Sequence, residues 1–348
     1  MKLKFLIIAF AFFFLILVVT LSQKVISDTG YSNRILDNQG NNNAIVTNIW
    51  LDDTTKLDEI KNHKIKYLIV DVGNTGENGS LLTSKDEIDY FLKFIEKYEK
   101  ANNYDFILLP YSEINTYTYN MTPEFEDNFI QDYYNLNLIG FDGIFVDIEP
   151  VKFEQRGDYL SLLSRLRSKL GDDKIISVYS GHISEDLNNE WGWSLDFLKE
   201  VSHKTDIISV PVYDTDYKNR ADYQDFVKYT LDKILTNTWD SYFFLAVPTH
   251  KNSPETLDNV ISVYSKEIKK YPDNNLLGID IFAEWTIDDK EWKTVDQYLK
   301  QSQDNECKNP LSHPFNFISC PNTVSMYKNK SPLSNSTLYL KNILTILR

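Results

Sequence analysis

The fold of this chain is decided by the stretch Gly140-Phe141-Asp142-Gly143-Ile144-Phe145-Val146-Asp147-Ile148-Glu149-Pro150. Its apolar residues predict a buried strand that ends at the proline, and Asp142 is expected to hold the turn that leads into it. Successive side chains of a strand point to opposite faces, so Phe145, Asp147 and Glu149 share one face. Two carboxylates on a buried face are costly unless they are paired or take part in chemistry. The end of this strand is therefore the first candidate site.

Strand and helix patterns alternate on both sides of this stretch. Each apolar run is followed by a helical pattern, and the units are about 20–40 residues long, as in parallel α/β folds. Eight units favour a single (β/α)8 TIM barrel over an open doubly wound sheet. No G-x-G-x-x-G loop follows the first strand, which also disfavours a dinucleotide-binding sheet. The predicted strands are 44–51, 65–72, 104–110, 140–149, 174–180, 206–213, 242–248 and 276–285.

Composition and charge restrict the class of partner. The chain has 348 residues, of which 42% are hydrophobic and 25% charged, and this predicts a packed globular core. Its formal net charge of -14 disfavours nucleic acid as a partner, because nucleic acid requires a basic surface. No CxxC or HxxxH spacing occurs, which disfavours a metal site. No cofactor is expected. We expect a monomer.

The N-terminal segment is predicted to lie outside the barrel. Lys2 and Lys4 precede an apolar run over residues 5–21. This pattern over residues 1–23 is typical of a signal peptide or of an uncleaved signal anchor in the membrane. Either would place the rest of the chain outside the cytoplasm. A polar stretch over residues 24–43 has the composition of a linker.

The barrel pattern covers residues 44–302, and an irregular, proline-containing tail over residues 303–348 follows it. The two cysteines of the chain, Cys307 and Cys320, both belong to this tail. In an exported chain they either close a short disulfide loop or remain unpaired thiols.

In a (β/α)8 barrel the active site lies at the C-terminal ends of the strands, called here the barrel mouth. Carboxylate, tyrosine and tryptophan side chains fall at these positions in the sequence. Such residues around one opening are typical of a sugar-binding cleft, where rings stack on the sugar and acids act on the glycosidic oxygen. The candidate catalytic residues are Asp147, Glu149 and Tyr213, and the candidate binding residues are Tyr111, Tyr179, Asp214, Glu284 and Trp285.

The fourth strand resembles a known signature. Asp142, Gly143, Asp147 and Glu149 match the D-G-x-D-x-D-x-E motif of the family 18 glycoside hydrolases, which comprise chitinases and endo-β-N-acetylglucosaminidases. Phe145 stands where the motif has its second acidic residue. The strand is also similar to the fourth strand of the family 114 galactosaminidases. The resemblance therefore implies a divergent glycosidase-like barrel.

Two further segments resemble family 18. Val212-Tyr213-Asp214 is similar to the M-x-Y-D element of the family. Trp285 falls where the family places the tryptophan that forms the floor of the −1 subsite. In its layout the resemblance covers residues 44–302.

This resemblance implies hydrolysis assisted by the substrate. Glu149 would be the general acid, and the 2-acetamido oxygen of the sugar would attack C1. Asp147 and Tyr213 would orient and stabilise the resulting oxazolinium-like intermediate, while Asp214 would line the same subsite. No carboxylate ends the seventh strand, where many retaining barrel glycosidases hold their nucleophile, and this also favours substrate assistance. The substrate would then carry an N-acetyl group at C2.

Phe145 leaves other functions open. In family 18 the acid at this position hydrogen-bonds the next aspartate, and Asp147 would lack that partner here. A catalytically silent carbohydrate-binding barrel is therefore the alternative to an enzyme. A metal-dependent hydrolase that uses Asp71, Asp147, Glu149 and His250 is a third hypothesis.

Overall fold

The computed structural model describes residues 42–308, except for Asn120, residues 187–188, Lys251, residues 272–273 and the side chains of residues 301–308. The chain divides into two units, Met1–Tyr298 and Leu299–Arg348, and the barrel strands all belong to the first. The predicted N-terminal segment over residues 1–23 lies outside the described residues. So does the pairing of Cys307 with Cys320. No helix of the described part of the chain is long and apolar enough to cross a membrane.

Eight parallel strands form a nearly closed barrel of the TIM type, as predicted. They are β1 (Asn43–Asn48), β2 (Ile65–Asp71), β3 (Ile107–Tyr111), β4 (Gly143–Glu149), β5 (Ile175–Tyr179), β6 (Ile207–Pro211), β7 (Tyr242–Pro248) and β8 (Leu276–Phe282). Strands that follow one another in sequence are neighbours in the barrel, and β8 pairs with β1. The predicted strands are confirmed to within about four residues at each end, the precision expected for element boundaries.

A short extension of β3, Glu113–Asn115, closes the barrel against β4 and places Glu113 opposite Asp147. At the other end of the same pair, Asp142 ties the two strands together. Its backbone N–H donates to Leu108 O at 3.0 Å, and its Oδ2 accepts from the Leu108 N–H at 2.9 Å. Asp142 therefore holds the start of β4 in register with β3.

Eight helices of the described residues follow the strands, as predicted. They are α1 (Thr54–Asn62), α2 (Lys85–Asn102), α3 (Pro123–Ile139), α4 (Arg156–Leu170), α5 (Leu195–Ser202), α6 (Arg220–Thr236), α7 (Leu257–Glu267) and α8 (Asp289–Lys308). Local capping signals fix several starts: Ser84 and Glu87 form a capping box at α2. The last helix continues to Lys308, so the tail predicted to be irregular from residue 303 begins as helix.

The interior of the barrel is filled by alternate side chains of the strands. Phe145 is buried there, with its ring edge-to-face with Tyr111 at 6.1 Å and with Tyr179 at 4.7 Å between ring centroids. Burial of a phenylalanine contributes about 1.5–3 kcal/mol. Ile144 and Val146 are buried on the opposite face of β4. The predicted assignment of the two faces of β4 is thus confirmed.

Gly143 lies where the backbones of β4 and β5 approach most closely. A Cβ atom at this position would lie 2.0 Å from the carbonyl oxygen of Ile175. We expect Gly143→Ala to lower the free energy of unfolding by about 3–5 kcal/mol, because a strand must shift to admit the methyl group.

Gly157 in α4 is the matched control, since a Cβ atom there meets no atom within 4 Å. Gly157→Ala should stabilise the protein by about 0.5–1 kcal/mol, because alanine favours the helix. Urea unfolding of the two variants measures both effects. Equal stability of Gly143→Ala and the wild type would contradict the close approach of β4 to β5.

Candidate functional site

Asp147 and Glu149 lie at the C-terminal end of β4, at the barrel mouth. Asp147 is only 8% exposed. Burial raises the pKa of its carboxyl group well above the usual range, and the negative charges of Glu149, Glu113 and Asp71 raise it further. Two carboxylates that disfavour each other's ionisation are therefore held side by side, the arrangement that separates acid from base roles in active sites.

Glu149 has a pKa of about 7, raised first by burial and then by the charges of Glu113 and Asp214. A carboxyl group with this pKa is largely protonated in mildly acidic solution, and its conjugate base is readily formed. It can therefore donate a proton in one step and accept one in the next.

Asp147 is held without the acidic partner that the motif would supply. Phe145, two residues earlier on the same face, points into the apolar interior between Tyr111 and Tyr179. The pKa shift of Asp147 arises from burial and from neighbouring carboxylates. The acid form that this shift favours can donate a hydrogen bond to a bound ligand.

Tyr213 follows the end of β6 and lies within electrostatic range of the two carboxylates. Its ring stacks on that of Phe282 at a centroid distance of 5.3 Å. Burial raises the pKa of its hydroxyl, and the charges of Glu149 and Asp147 act on it in the same direction. The Tyr213 carbonyl oxygen accepts a hydrogen bond from Nε2 of His182 at 2.8 Å, which fixes the backbone at this point.

The loop after Tyr213 is held by the buried carboxylate of Glu255. The Asp214 N–H donates to Glu255 Oε2 at 2.7 Å, and the Thr215 N–H donates to Oε1 at 2.8 Å. The Thr215 hydroxyl also donates to Oε1. Asp214 adopts a left-handed conformation (φ 55°) and lies close enough to Glu149 to raise its pKa.

Within the described ranges, one group of side chains has the types and spacing of metal ligands. It consists of Asp214, His250 and Glu255, whose ligand atoms lie within 4.8 Å of one another. Both Glu255 oxygens already accept backbone N–H groups, so this carboxylate primarily orders the loop. The predicted metal set shares only His250 with this group, and Asp71, Asp147 and Glu149 lie outside it.

The remaining predicted residues differ in their distance from the carboxylate pair. Trp285 is 45% exposed and meets Phe282 edge-on at 6.1 Å, so Phe282 rather than Trp285 contacts Tyr213. Glu284 forms an ion pair with Lys56 at the start of α1. Tyr111 and Tyr179 lie deeper, in the interior of the barrel.

Sequence reasoning missed four residues that shape this site: Glu113, Glu255, Asp280 and Phe282. Asp280 and Phe282 alternate with Ile279 and Ile281 along β8, so the period of two could have placed them on the inner face. Glu113 follows the third predicted strand by three residues, so its position at a strand end was a signal. Glu255 gave none, because it acts from a loop that only the folded chain brings to the mouth.

The sequence matches no protein-family model and no curated protein. Several solved structures share its fold. A class V chitinase from Pseudomonas fluorescens is 12% identical, with 74% of this chain and 99% of that chain covered and a TM-score of 0.55. The spore cortex-lytic enzyme SleL of Bacillus megaterium is 11% identical, with coverage of 74% and 73% and a TM-score of 0.54.

Human YKL-39, described as a pseudo-chitinase with retained chitooligosaccharide binding, is 10% identical, with coverage of 74% and 99% and a TM-score of 0.52. At these identities the likeness concerns the fold. The chain thus has the barrel fold of chitinases and chitinase-like proteins, which confirms at that level the resemblance to family 18.

Proposed function

We propose that the chain is a glycoside hydrolase that cleaves an N-acetylhexosamine-containing glycan. One observation carries the proposal: Asp147 and Glu149, both with a raised pKa, lie beside Tyr213 at the mouth of a chitinase-like barrel. A buried acid with a pKa near neutrality serves proton donation to a leaving group.

The reaction we propose has two steps. Glu149 donates its proton to the glycosidic oxygen while the acetamido oxygen of the sugar attacks C1, so the bond between C1 and the leaving oxygen breaks. Asp147 and Tyr213 hold the acetamido group and stabilise the oxazolinium-like intermediate. Water then attacks C1, the ionised Glu149 takes its proton, and the configuration at C1 is retained.

The end of β7 supports substrate assistance, because it carries no carboxylate side chain. β7 ends at Pro248 and is followed by Thr249, whose hydroxyl bonds to the turn after β8. The end of β7, at Pro248 and Thr249, therefore offers no carboxylate nucleophile to replace the acetamido group. Asp214, next to Tyr213 and close to Glu149, is placed to line the same subsite.

We place the activity outside the cytoplasm, with the chain secreted or anchored through residues 5–21, on the strength of the N-terminal sequence pattern. The net charge of -14 supports a glycan rather than a nucleic acid as the partner. We also expect the protein to act as a monomer without a cofactor.

A silent carbohydrate-binding barrel is the second candidate, and Phe145 is the observation that favours it. The phenyl ring replaces an acid that would hydrogen-bond Asp147 and assist its change of protonation. YKL-39 shows that a barrel of this fold can bind chitooligosaccharide as a pseudo-chitinase. The same cleft would then bind a glycan without cleaving it.

A turnover screen decides between the two candidates. Chromogenic N-acetylglucosaminides and N-acetylgalactosaminides of one to four sugars are compared with matched glycosides that lack the acetamido group. We expect turnover of acetylated substrates only, with the β-anomer released first from a β-glycoside. Binding without turnover would establish the silent barrel. Turnover of the non-acetylated glycosides would contradict substrate assistance, and selective turnover of galactosaminides would favour the family 114-like alternative.

A further inference from the structure

Three side chains at the barrel mouth form a group separate from the carboxylate pair. Asp214 lies in the loop after β6, and His250 and Glu255 lie in the loop between β7 and α7. One ligand atom of each residue lies within 4.8 Å of those of the other two. The Asp214 N–H donates to Glu255 Oε2 at 2.7 Å, which ties the two loops together. Loops from different parts of the sequence thus bring together one imidazole and two carboxylates.

The spacing between His250 and Glu255 is not that of a hydrogen-bonded pair. His250 Nε2 lies 3.6 Å from Glu255 Oε2 and is buried without a hydrogen-bond partner among the described residues. By contrast, His63 Nδ1 lies 2.7 Å from Asp296 Oδ1. Two ligand atoms of one tetrahedral Zn²⁺ ion are about 3.3–3.5 Å apart, because the metal–ligand bonds are about 2.0–2.1 Å long. The spacing between His250 and Glu255 therefore fits a shared metal ion better than a hydrogen bond.

The Glu255 carboxylate can hold its loop and bind a cation at the same time. Its Oε1 accepts two hydrogen bonds, from the N–H and the hydroxyl of Thr215. Within the described residues, its Oε2 accepts one, from the Asp214 N–H. A carboxylate oxygen has two lone pairs, so one lone pair of Oε2 remains for a ligand bond. This is the oxygen that lies 3.6 Å from His250 Nε2.

We propose that Asp214, His250 and Glu255 form a Zn²⁺ site at the barrel mouth. A set of one imidazole nitrogen and two carboxylate oxygens suits Zn²⁺, whereas Mg²⁺ and Ca²⁺ prefer oxygen ligands alone. Three protein ligands leave a fourth position of the tetrahedral ion for water. Sequence spacing gives no sign of this site, because its ligands come from two loops.

The ion has a regulatory role in the proposed function, and the proposed reaction does not use it as a cofactor. Asp214 is placed to line the subsite of the acetamido sugar, and a carboxylate that binds Zn²⁺ is not available to the sugar. Zn²⁺ therefore competes with the substrate for Asp214. This regulation rests on the proposed function, whereas the Zn²⁺ site itself does not.

Zinc binding to the untagged full chain is the first test. Cys307 and Cys320 are alkylated beforehand, so that their thiols do not bind the added metal. Calorimetric titration with zinc chloride should show one Zn²⁺ ion per wild-type chain. Binding to His250→Gln should be weaker by at least about 10-fold, since loss of a ligand costs no less than loss of an outer-shell partner. Equal binding by the two proteins would overturn the proposal, and so would a wild type that binds no Zn²⁺.

Asp216 provides the matched control for Asp214. Both residues are exposed, and both adopt left-handed conformations, with φ of 55° for Asp214 and 62° for Asp216. Asparagine tolerates this conformation, so neither substitution should alter the loop. Asp214→Asn should weaken zinc binding by about 10-fold or more, whereas Asp216→Asn should not change it. Equal affinities of these two variants would contradict the three-ligand site.

His203→Gln controls for the loss of an imidazole. His203 hydrogen-bonds the carboxylate of Asp240 at another place in the fold. This variant should therefore bind Zn²⁺ as the wild type does. Weaker binding by His203→Gln than by His250→Gln would place the zinc site at His203 and refute the proposal.

Thermal unfolding shows whether the ion binds the folded protein. A ligand that binds only the folded state raises the Tm. Zn²⁺ at about 100 times its dissociation constant should raise the Tm of the wild type by about 5 °C or more, and Mg²⁺ should not raise it. His250→Gln should show no rise with Zn²⁺, and an equal rise in both proteins would contradict the site. If His250→Gln does not fold, the exposed substitution Asp214→Asn provides the same comparison.

Turnover tests the regulatory effect. Saturating Zn²⁺ should lower kcat/KM of the wild type by about 10-fold or more, the factor that a hydrogen bond to a charged group typically contributes. In His250→Gln the same concentration of Zn²⁺ should leave kcat/KM unchanged. An equal decrease in both proteins would refute the regulation. If the wild type turns over no glycoside, the proposed function fails, and the titrations and Tm measurements still decide the zinc site.

Discussion

Glu149→Gln is expected to lower kcat by about 100- to 10,000-fold, the range for loss of a general acid, while the fold stays intact. Glutamine keeps the size of the side chain and its neutral state, so the burial that raises the pKa of Glu149 to about 7 does not disfavour it. Thermal unfolding should therefore show a Tm at least equal to that of the wild type. Full activity in this variant would refute the proposed function.

Substrates with different leaving groups test whether Glu149 acts as the proton donor. An acidic phenol needs little protonation to depart, so the defect of Glu149→Gln should shrink when a dinitrophenyl glycoside replaces a methylumbelliferyl glycoside. Glu124→Gln, an exposed substitution at the start of α3, is the matched control and should leave kcat unchanged. An equal defect with both leaving groups would assign Glu149 a role other than proton donation.

The pH dependence of the activity follows from the raised pKa of Glu149. Glu149 must be protonated to act, so the activity should fall as the pH rises through about 7. The charge of Glu113 contributes to the raised pKa of Glu149. Glu113→Gln should therefore move the alkaline limb of the profile to lower pH.

Asp147→Asn is expected to lower kcat by about 100-fold or more and, at the same time, to stabilise the protein at pH 7. Burial and neighbouring carboxylates raise the pKa of Asp147. A raised folded-state pKa means that stability is lost as the pH rises above the unfolded value, and asparagine removes that loss. We expect a Tm about 2–4 °C above that of the wild type at pH 7, which corresponds to about 1 kcal/mol.

Asp142 supplies the matched comparison, because its carboxylate accepts a backbone hydrogen bond at 2.9 Å. Asp142→Ala should lose about 1–2 kcal/mol of unfolding free energy without a change in kcat. Thermal scans and kcat measurements on both variants separate the two roles. A destabilised Asp147→Asn variant with full activity would identify Asp147 as structural.

Local signals in the sequence were sufficient for the architecture. The eight strand and helix units were predicted because each strand is an apolar run and each helix has its own periodicity and caps, such as Ser84 with Glu87. The order of the strands then follows, since consecutive parallel strands joined by helices lie side by side. Helix ends were less certain: α3 continues to Ile139 and stops at Gly140 (φ 140°), a position that the helical pattern alone did not mark.

The candidate site was predicted in part. Asp147 and Glu149 could be identified because two carboxylates at alternate positions contradict the apolar character of their own strand. Phe282 was overlooked in favour of Trp285, since the resemblance to family 18 pointed to the tryptophan, whereas the turn after β8 leaves Trp285 on the rim and Phe282 against Tyr213.

The sequence by itself determined the barrel, its strand order and the pair Asp147 and Glu149 at the end of β4, because periodicity and burial act within each segment. The tertiary structure decided what surrounds that pair. It placed Glu113 opposite Asp147, Asp214 near Glu149, and Phe282 against Tyr213. A pKa depends on burial and on charges from distant segments, so the chemistry of Gly140–Pro150 became defined only when eight strands converged.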